Sequence, residues 1–194
     1  MLAGAYKGSI MERLAPSRAD LAAAIGLAVG GTLGMAGTFV GDASMRQLLW
    51  TIDGVGLVVA AALLTAKFAR GAETLLAAGF LVFLAGESVL LSGNAAGLQG
   101  SVPSYCGGVS LWAASLVMVS LPAVFPIWAR LSAAVAAVVF AVSAGLIAWG
   151  EHLLPTTAPL PALGYPFLVL TFVGWIWRLL RPPATAQPSG RHVP

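Results

Sequence analysis

Charged residues are scarce in this chain. Asp, Glu, Lys and Arg together make up 9% of its 194 residues, whereas about 25% is usual in a soluble domain. Hydrophobic residues make up 59%, and the mean hydropathy is +0.91. This composition excludes an ordinary soluble domain and predicts a membrane protein.

Cysteine and histidine are nearly absent as well. The single cysteine, Cys106, excludes an intrachain disulfide and a metal cluster held by several thiolates. Of the two histidines, His152 and His192, the second falls in a polar tail, which argues against haem held by paired histidines in the membrane. The glycine loop that binds phosphates, the zinc-protease motif and the G-x-S-x-G pattern of esterases are also missing. We therefore predict no cofactor, and an enzyme is less expected than a non-enzymatic protein.

Long apolar runs dominate what remains. Each is about 20 residues long, enough for a helix to cross a hydrocarbon core of about 30 Å, and none alternates as barrel strands do. The runs predict an all-α, polytopic helical membrane protein without a soluble domain, with about six spans near residues 21–40, 48–66, 72–91, 108–128, 131–150 and 160–180. The bundle occupies residues 20–180, between an N-terminal segment (1–19) and a tail (181–194) that is predicted to be disordered.

Prolines and glycines punctuate this pattern. Pro122 and Pro126 lie in the last turns of the fourth predicted span, where they predict a kink or an early end. Pro166 lies near the start of the sixth. If the regular helix begins at Pro166, its fifteen residues would cover only ~22 Å, so the preceding segment must help to cross. The uncharged segment 92–106 either packs against the helix ends or forms a disordered polar loop.

Basic residues predict the orientation. The net charge of +3 and the absence of a dense basic cluster argue against binding of nucleic acid. With six spans, Arg46 alone falls on one side of the membrane, and nine basic residues fall on the side of the termini: Lys7, Arg13, Arg18, Lys67, Arg70, Arg130, Arg178, Arg181 and Arg191. Because basic flanking segments stay inside, we expect both termini to be cytoplasmic, in a bacterial-type inner membrane. The six tryptophans fall near predicted helix ends, as interfacial anchors do.

Two acidic residues interrupt neighbouring spans. Asp53 and Glu87 each lie five residues from the outer end of their runs, or ~7.5 Å, and the two spans run antiparallel. An ionisable residue inside a span suggests a functional site, and two close carboxylates need a shared proton, a bound cation or a basic partner such as Arg46. The pair therefore predicts either a polar clamp between the helices, which membrane helices commonly use, or a site for protons or cations open to the outside.

Small residues recur on the first predicted span. Gly26, Gly30 and Gly34 are spaced by four and so share one helix face, where another backbone can approach closely. We expect this face to pack against another helix of the same chain. A dimerisation face or a pore lining is the alternative.

Glu151 and His152 form a second polar pair, at the outer end of the fifth span. Such a pair can act in acid–base chemistry or supply part of a metal site, but adjacent helical residues point about 100° apart and no third ligand is evident. We expect an ordinary interfacial pair. Cys106 has no basic neighbour in sequence and is expected to be an apolar filler.

Three classes of function stay open. The composition favours a non-enzymatic packing or interaction module that contacts the lipid bilayer and either associates with itself or joins a larger membrane complex. The alternative is a small channel or carrier for protons, cations or a small solute, using Asp53 and Glu87. A membrane-embedded enzyme is the third class, disfavoured because so few catalytic side chains are available.

Overall fold

The structure is a computed structural model, and it describes residues 16–181. The predicted N-terminal segment and tail therefore lie almost entirely outside the described residues. Within residues 16–181 the chain forms helices and turns only, with seven helices: α1 (Arg18–Phe39), α2 (Ala43–Arg70), α3 (Thr74–Asn94), α4 (Gly97–Gly100), α5 (Val102–Ser120), α6 (Ile127–Ala148) and α7 (Gly164–Leu180).

The protein is a polytopic helical membrane protein, as the apolar runs predict. Five helices, α1, α2, α3, α5 and α6, are long and apolar enough to cross a membrane. The last helix, α7, is apolar but has only 17 residues, or about 25 Å of length. Five candidate spans and one shorter apolar helix thus correspond to the six predicted runs.

The six long helices form a closed ring. Each packs against the next along the chain, with the four-residue α4 between α3 and α5, and α7 packs back against α1. Successive helices alternate in direction, so Lys67 at the end of α2 pairs with Asp20 at the start of α1. Arg130 of α6 donates to the Ser120 carbonyl at the end of α5, at 2.6 Å. We call this end of the ring the basic end, and the other the opposite end.

Aromatic side chains fill the ring interior toward the basic end. Phe80 and Trp175 meet edge to face with their ring centroids 4.8 Å apart, and further rings pack around them. Each such pair contributes about 0.5–1.5 kcal/mol beyond the area it buries. We call this group the aromatic layer: Phe68, Phe80, Phe83, Phe125, Phe172 and Trp175, each at most 8% exposed. Trp175 thus lies in the interior of the ring and not at the membrane interface, where the sequence predicts it.

Helix ends differ from the predicted spans where local chemistry decides them. The helix α5 begins at Val102 and ends at Ser120, before Pro122, and a new helix begins at Ile127 after Pro126. Proline lacks the N–H that a helix needs and disfavours helical geometry in the residue before it, so the early end has a direct cause. The fourth predicted span, 108–128, is therefore placed too late in the chain.

The uncharged segment 92–106 is mostly helical. It contains the end of α3, the short α4 and the first turn of α5, and Ser101 and Tyr105 within it are buried. Of the two alternatives for this segment, the structure shows the packed one.

Residues 149–163 cross the opposite end of the ring without helical structure. Pro161 is fully buried there, and α7 begins at Gly164, with Pro166 in its first turn, where proline is tolerated. This is the segment before Pro166 that is predicted to help the last helix to cross the membrane.

Candidate functional site

Helices α2 and α3 bring the two acidic residues together. A Cβ atom at Gly54, the residue after Asp53, would lie 3.2 Å from Oε1 of Glu87. On the other side of α3, a Cβ atom at Gly86 would lie 2.9 Å from the Gly108 carbonyl oxygen of α5. The small neighbours therefore let α3 sit tightly between α2 and α5, with the Glu87 carboxyl against the backbone of α2.

The Asp53 side chain points toward α1. A Cβ atom at Gly34 would lie 2.6 Å from Oδ2 of Asp53, and one at Gly30 would lie 3.2 Å from Oδ1. The carboxyl group thus occupies a notch that exists only because these two positions of α1 carry no side chain.

Asp53 and Glu87 line one cavity inside the ring. Its volume open to the centre of a water molecule is about 80 Å³, and it lies toward the opposite end. A water needs about 10–15 Å³ on this measure, so the cavity holds roughly five. None of its eighteen lining residues is basic, and α1, α2, α3, α5 and α7 all contribute. Its polar and aromatic walls include Trp50, Tyr105, Trp112 and Tyr165.

Three buried polar atoms of this cavity have no hydrogen-bond partner among residues 16–181. They are Oδ1 of Asp53, Oε2 of Glu87 and Nε1 of Trp112. Glu87 is only 4% exposed, so water outside the protein does not solvate it. Leaving a buried polar group unpaired costs about 1–3 kcal/mol, and more for a charged one. In the clamp hypothesis the carboxyls would hydrogen-bond each other, whereas these two oxygens have no partner.

Hydroxyl groups line the cavity at the opposite end. Tyr165 donates to the Pro155 carbonyl at 3.1 Å, and its oxygen lies 2.8 Å from that of Tyr105. Because the Tyr165 proton is used on Pro155, Tyr105 is the donor between the two hydroxyls. Trp50 donates to the Gly34 carbonyl at 3.2 Å, which fixes its indole beside the notch. These groups are satisfied by one another, unlike the two carboxyls.

The glycine face of α1 lies against α2 within the chain. A Cβ atom at Gly26 would lie 2.5 Å from the Gly56 carbonyl oxygen, and one at Gly30 would lie 2.4 Å from Leu57. Gly34 serves the acid site instead, since its space holds the Asp53 carboxyl. The stripe therefore has two parts, one for backbone approach and one for the cavity.

Arg46 does not join the acid pair. Its guanidinium donates to the Val40 and Gly41 carbonyls at the end of α1, and it is not among the residues that line the acidic cavity. The last carbonyls of a helix lack helical partners, so a nearby arginine is drawn to them. Arg46 is therefore not the positive partner of the two carboxyls, and a shared proton or a bound cation remains to balance their charge.

The second polar pair lies apart from the cavity. Glu151 and His152 are exposed, and Nε2 of His152 lies 2.6 Å from Oε1 of Gln99. Among residues 16–181 no three His, Cys, Asp or Glu side chains are placed to hold a metal ion. Cys106 is half-buried, with its thiol 3.5 Å from the Ala144 carbonyl of α6. His192 lies outside the described residues.

Five aromatic residues of the cavity escaped prediction as site residues: Trp50, Tyr105, Trp112, Tyr165 and Phe172. Tyr105 and Tyr165 lie sixty positions apart, and no periodicity links them. Trp50 and Trp112 lie near predicted span ends, so the sequence predicts them as interfacial anchors and not as residues of the cavity wall. Trp50 lies three residues before Asp53 on α2, and Tyr105 and Trp112 lie on α5, which packs against α3. These positions could have singled out three of the residues, whereas Tyr165 and Phe172 on α7 carry no such signal.

Comparisons of this chain with protein-family models, with curated proteins and with solved structures give no match.

Proposed function

We propose that the protein is a carrier of the cell inner membrane that binds a proton or a small cation at Asp53 and Glu87. The observation that supports this proposal most is that two acidic side chains from neighbouring helices face one cavity without a basic residue in its lining. An ionisable residue in the membrane is costly and usually serves transport of ions or protons.

The charge of the cavity must be balanced by something that enters it. Two carboxylates close together in a low dielectric cannot both stay ionised without a positive partner. With Arg46 engaged at the end of α1, the balancing charge is a proton or a cation. Exchange of one for the other at a fixed pair of carboxyls is the elementary step of a coupled carrier.

The orientation rests on the distribution of basic residues. Lys67, Arg130 and Arg178 belong to the basic end, and Arg46 belongs to the other. The positive-inside rule places the basic end and both termini in the cytoplasm, so the cavity faces the outside.

A carrier fits this geometry better than an open channel. The aromatic layer fills the ring between the cavity and the basic end, and its Phe80 and Trp175 are almost completely buried. A channel needs a continuous polar path, whereas a carrier needs a site that is open to one side at a time.

Proteoliposomes that contain a trapped pH dye test the proposal. A panel of inorganic and organic chloride salts is added outside, and uptake of a cation in exchange for a proton raises the internal pH. Glu87→Gln should abolish this change, whereas Glu73→Gln, at an exposed acid before α3, should retain it. Protein-free liposomes correct for amines that cross the lipid as free base. If no salt gives a protein-dependent change with folded protein, the carrier proposal is wrong.

The packing or interaction module favoured by composition remains a prediction, as does the membrane-embedded enzyme. The unpaired carboxyls in a cavity argue for the carrier over both, because a module needs no such cavity and an enzyme needs more reactive groups than the described part of the chain places there.

A further inference from the structure

We propose that the cation bound at Asp53 and Glu87 is a small primary alkylammonium ion and not a metal ion. This inference rests on the proposed cation site and adds the chemical class of its ligand. It follows from the number of oxygen atoms within reach of the two carboxyls, from the nature of the other walls and from the size of the cavity.

The oxygen atoms are too few for a dehydrated metal ion. Calcium takes six to eight oxygen ligands, and magnesium demands six in octahedral geometry. Asp53 and Glu87 supply at most four carboxylate oxygens. Asn94 also lines the cavity, but it lies seven residues beyond Glu87 on the same helix, or about 10 Å away along the axis. It therefore lies nearer the opposite end of the ring than the two carboxyls do.

The hydroxyl groups of the cavity are already engaged. Tyr165 donates to the Pro155 carbonyl and accepts from Tyr105, so these two side chains hold each other at the opposite end of the cavity. Neither hydroxyl group therefore has a proton left to donate to the carboxyls, which leaves the carboxyl oxygens as acceptors for a ligand.

A primary ammonium group matches what is left. It carries one positive charge and three N–H donors, and it needs only three acceptors. The unpaired Oδ1 of Asp53 and Oε2 of Glu87 are two such acceptors, and each carboxyl carries a second oxygen. Charge-assisted hydrogen bonds of this kind are roughly twice as strong as neutral ones. The second negative charge is balanced by a proton, which couples the binding of the amine to pH.

The remaining walls suit a short alkyl chain. Leu57, Leu168, Val169 and Phe172 line the cavity beside the carboxyls. These apolar groups cannot hydrogen-bond the waters of a hydrated metal ion, whereas burial of an alkyl chain against them favours binding through the hydrophobic effect. Room for roughly five waters corresponds to a ligand of about four to six non-hydrogen atoms. Propylammonium has this size.

Isothermal titration calorimetry of the full chain in detergent tests the ligand class. Propylammonium chloride is compared with sodium, potassium, magnesium, calcium and tetramethylammonium chlorides at one ionic strength. We expect propylammonium to bind most tightly, with at least about a tenfold loss of affinity in Glu87→Gln, the loss that follows from one charge-assisted hydrogen bond. Glu73→Gln, the exposed acid, should bind as the wild type does.

A second variant tests the alkyl pocket. Val169 is half-buried on the cavity wall, so Val169→Ala should enlarge the pocket with little effect on folding and should favour a longer ammonium ion. A shift of the preferred chain from propylammonium to butylammonium supports the proposal. An unchanged preference shows that the chain does not lie in this pocket.

The outcomes separate this inference from the carrier proposal. Binding of sodium or calcium in preference to propylammonium, lost in Glu87→Gln, would retain the cation site and overturn the ligand class. Equal binding of tetramethylammonium, which has no N–H donor, would also overturn it. Propylammonium binding that is unaffected by Glu87→Gln would place the amine elsewhere. If no cation binds, both proposals fail.

Discussion

Alanine at Gly34 separates the function of the glycine stripe from its role in packing. A Cβ atom there would lie 2.6 Å from Oδ2 and 3.0 Å from Cγ of Asp53. Ordinary contact begins at 3.4 Å, so the carboxyl must move by about 0.8 Å out of its notch. Because the displaced group is the end of a side chain, the cost in stability is small, and alanine returns about 0.5–1 kcal/mol of helix propensity.

Gly26 provides the matched comparison on the same helix face. A Cβ atom there would lie 2.5 Å from the Gly56 carbonyl oxygen, so Gly26→Ala pushes backbone against backbone. Overpacking of this kind costs about 1–3 kcal/mol, which exceeds the gain in helix propensity. We expect Gly26→Ala to lower the melting temperature in detergent, and Gly34→Ala to melt near the wild type but lose cation binding.

Gly145 serves as the control for helix propensity alone. It is an exposed residue of α6, and a Cβ atom there would meet nothing within 4 Å. Gly145→Ala should melt at or above the wild-type temperature and bind cations normally. The reasoning is refuted if Gly34→Ala binds cations as the wild type does, or if Gly26→Ala and Gly145→Ala melt alike.

Four further predictions test the pair, its protonation, its cover and the orientation. Asp53→Asn should fold and melt normally but lose cation binding. Asp53→Leu should also lower the free energy of unfolding by about 1–3 kcal/mol, because it leaves Glu87 beside an apolar side chain. Equal melting temperatures of the two variants would contradict this prediction. Carbodiimide reacts with protonated buried carboxyls, so it should label Glu87 or Asp53 in the wild type, and the labelling should fall as the pH rises. A protein that stays unlabelled from mildly acidic to alkaline pH would count against a proton bound at either carboxyl. Tyr165→Phe should lower the free energy of unfolding by about 1 kcal/mol more than Tyr105→Phe does, because Tyr165 makes two hydrogen bonds and Tyr105 makes one. Thermal melting measures this difference. In a Cys106→Ser background, a cysteine at exposed Glu151 should react with an impermeant reagent on intact cells, and labelling that requires lysis would invert the orientation.

The membrane class could be predicted because the solvent acts on every residue of a span. Helix ends could be predicted less well, because hydropathy indicates only which residues lie in the membrane, whereas capping side chains and prolines determine where a helix begins and ends. Asp42 caps α2 by accepting from the Met45 amide at 2.7 Å, so this helix begins at Ala43, five residues before the apolar run. Asp53 consequently lies ten residues into its helix, deeper than the run alone suggests.

The acid pair could be predicted and its surroundings could not. Antiparallel neighbours with acids at matched depth must meet at one level, which follows from helix geometry alone. Arg46 illustrates the limit, because its choice between the carboxyls and the end of α1 depends on distances of a few ångströms. Tyr165 belongs to the site only because α7 closes the ring against α1, and such a long-range contact leaves no periodic signal in the sequence.

Phe172 is the point at which the cavity meets the aromatic layer. It lines the cavity and also packs edge to face on Phe83, with the ring centroids 5.8 Å apart. A Cβ atom at Gly31 of α1 would lie 3.3 Å from its ring, so Phe172 also fills the seam between the first and last helices. In the proposed carrier, a cation that leaves toward the basic end passes this side chain. Because α1 holds the notch for Asp53 on one face and contacts Phe172 at Gly31, a shift of α1 changes the carboxyl and the barrier together. This shared dependence on one helix is how a closed ring can couple the state of the site to the side on which it opens.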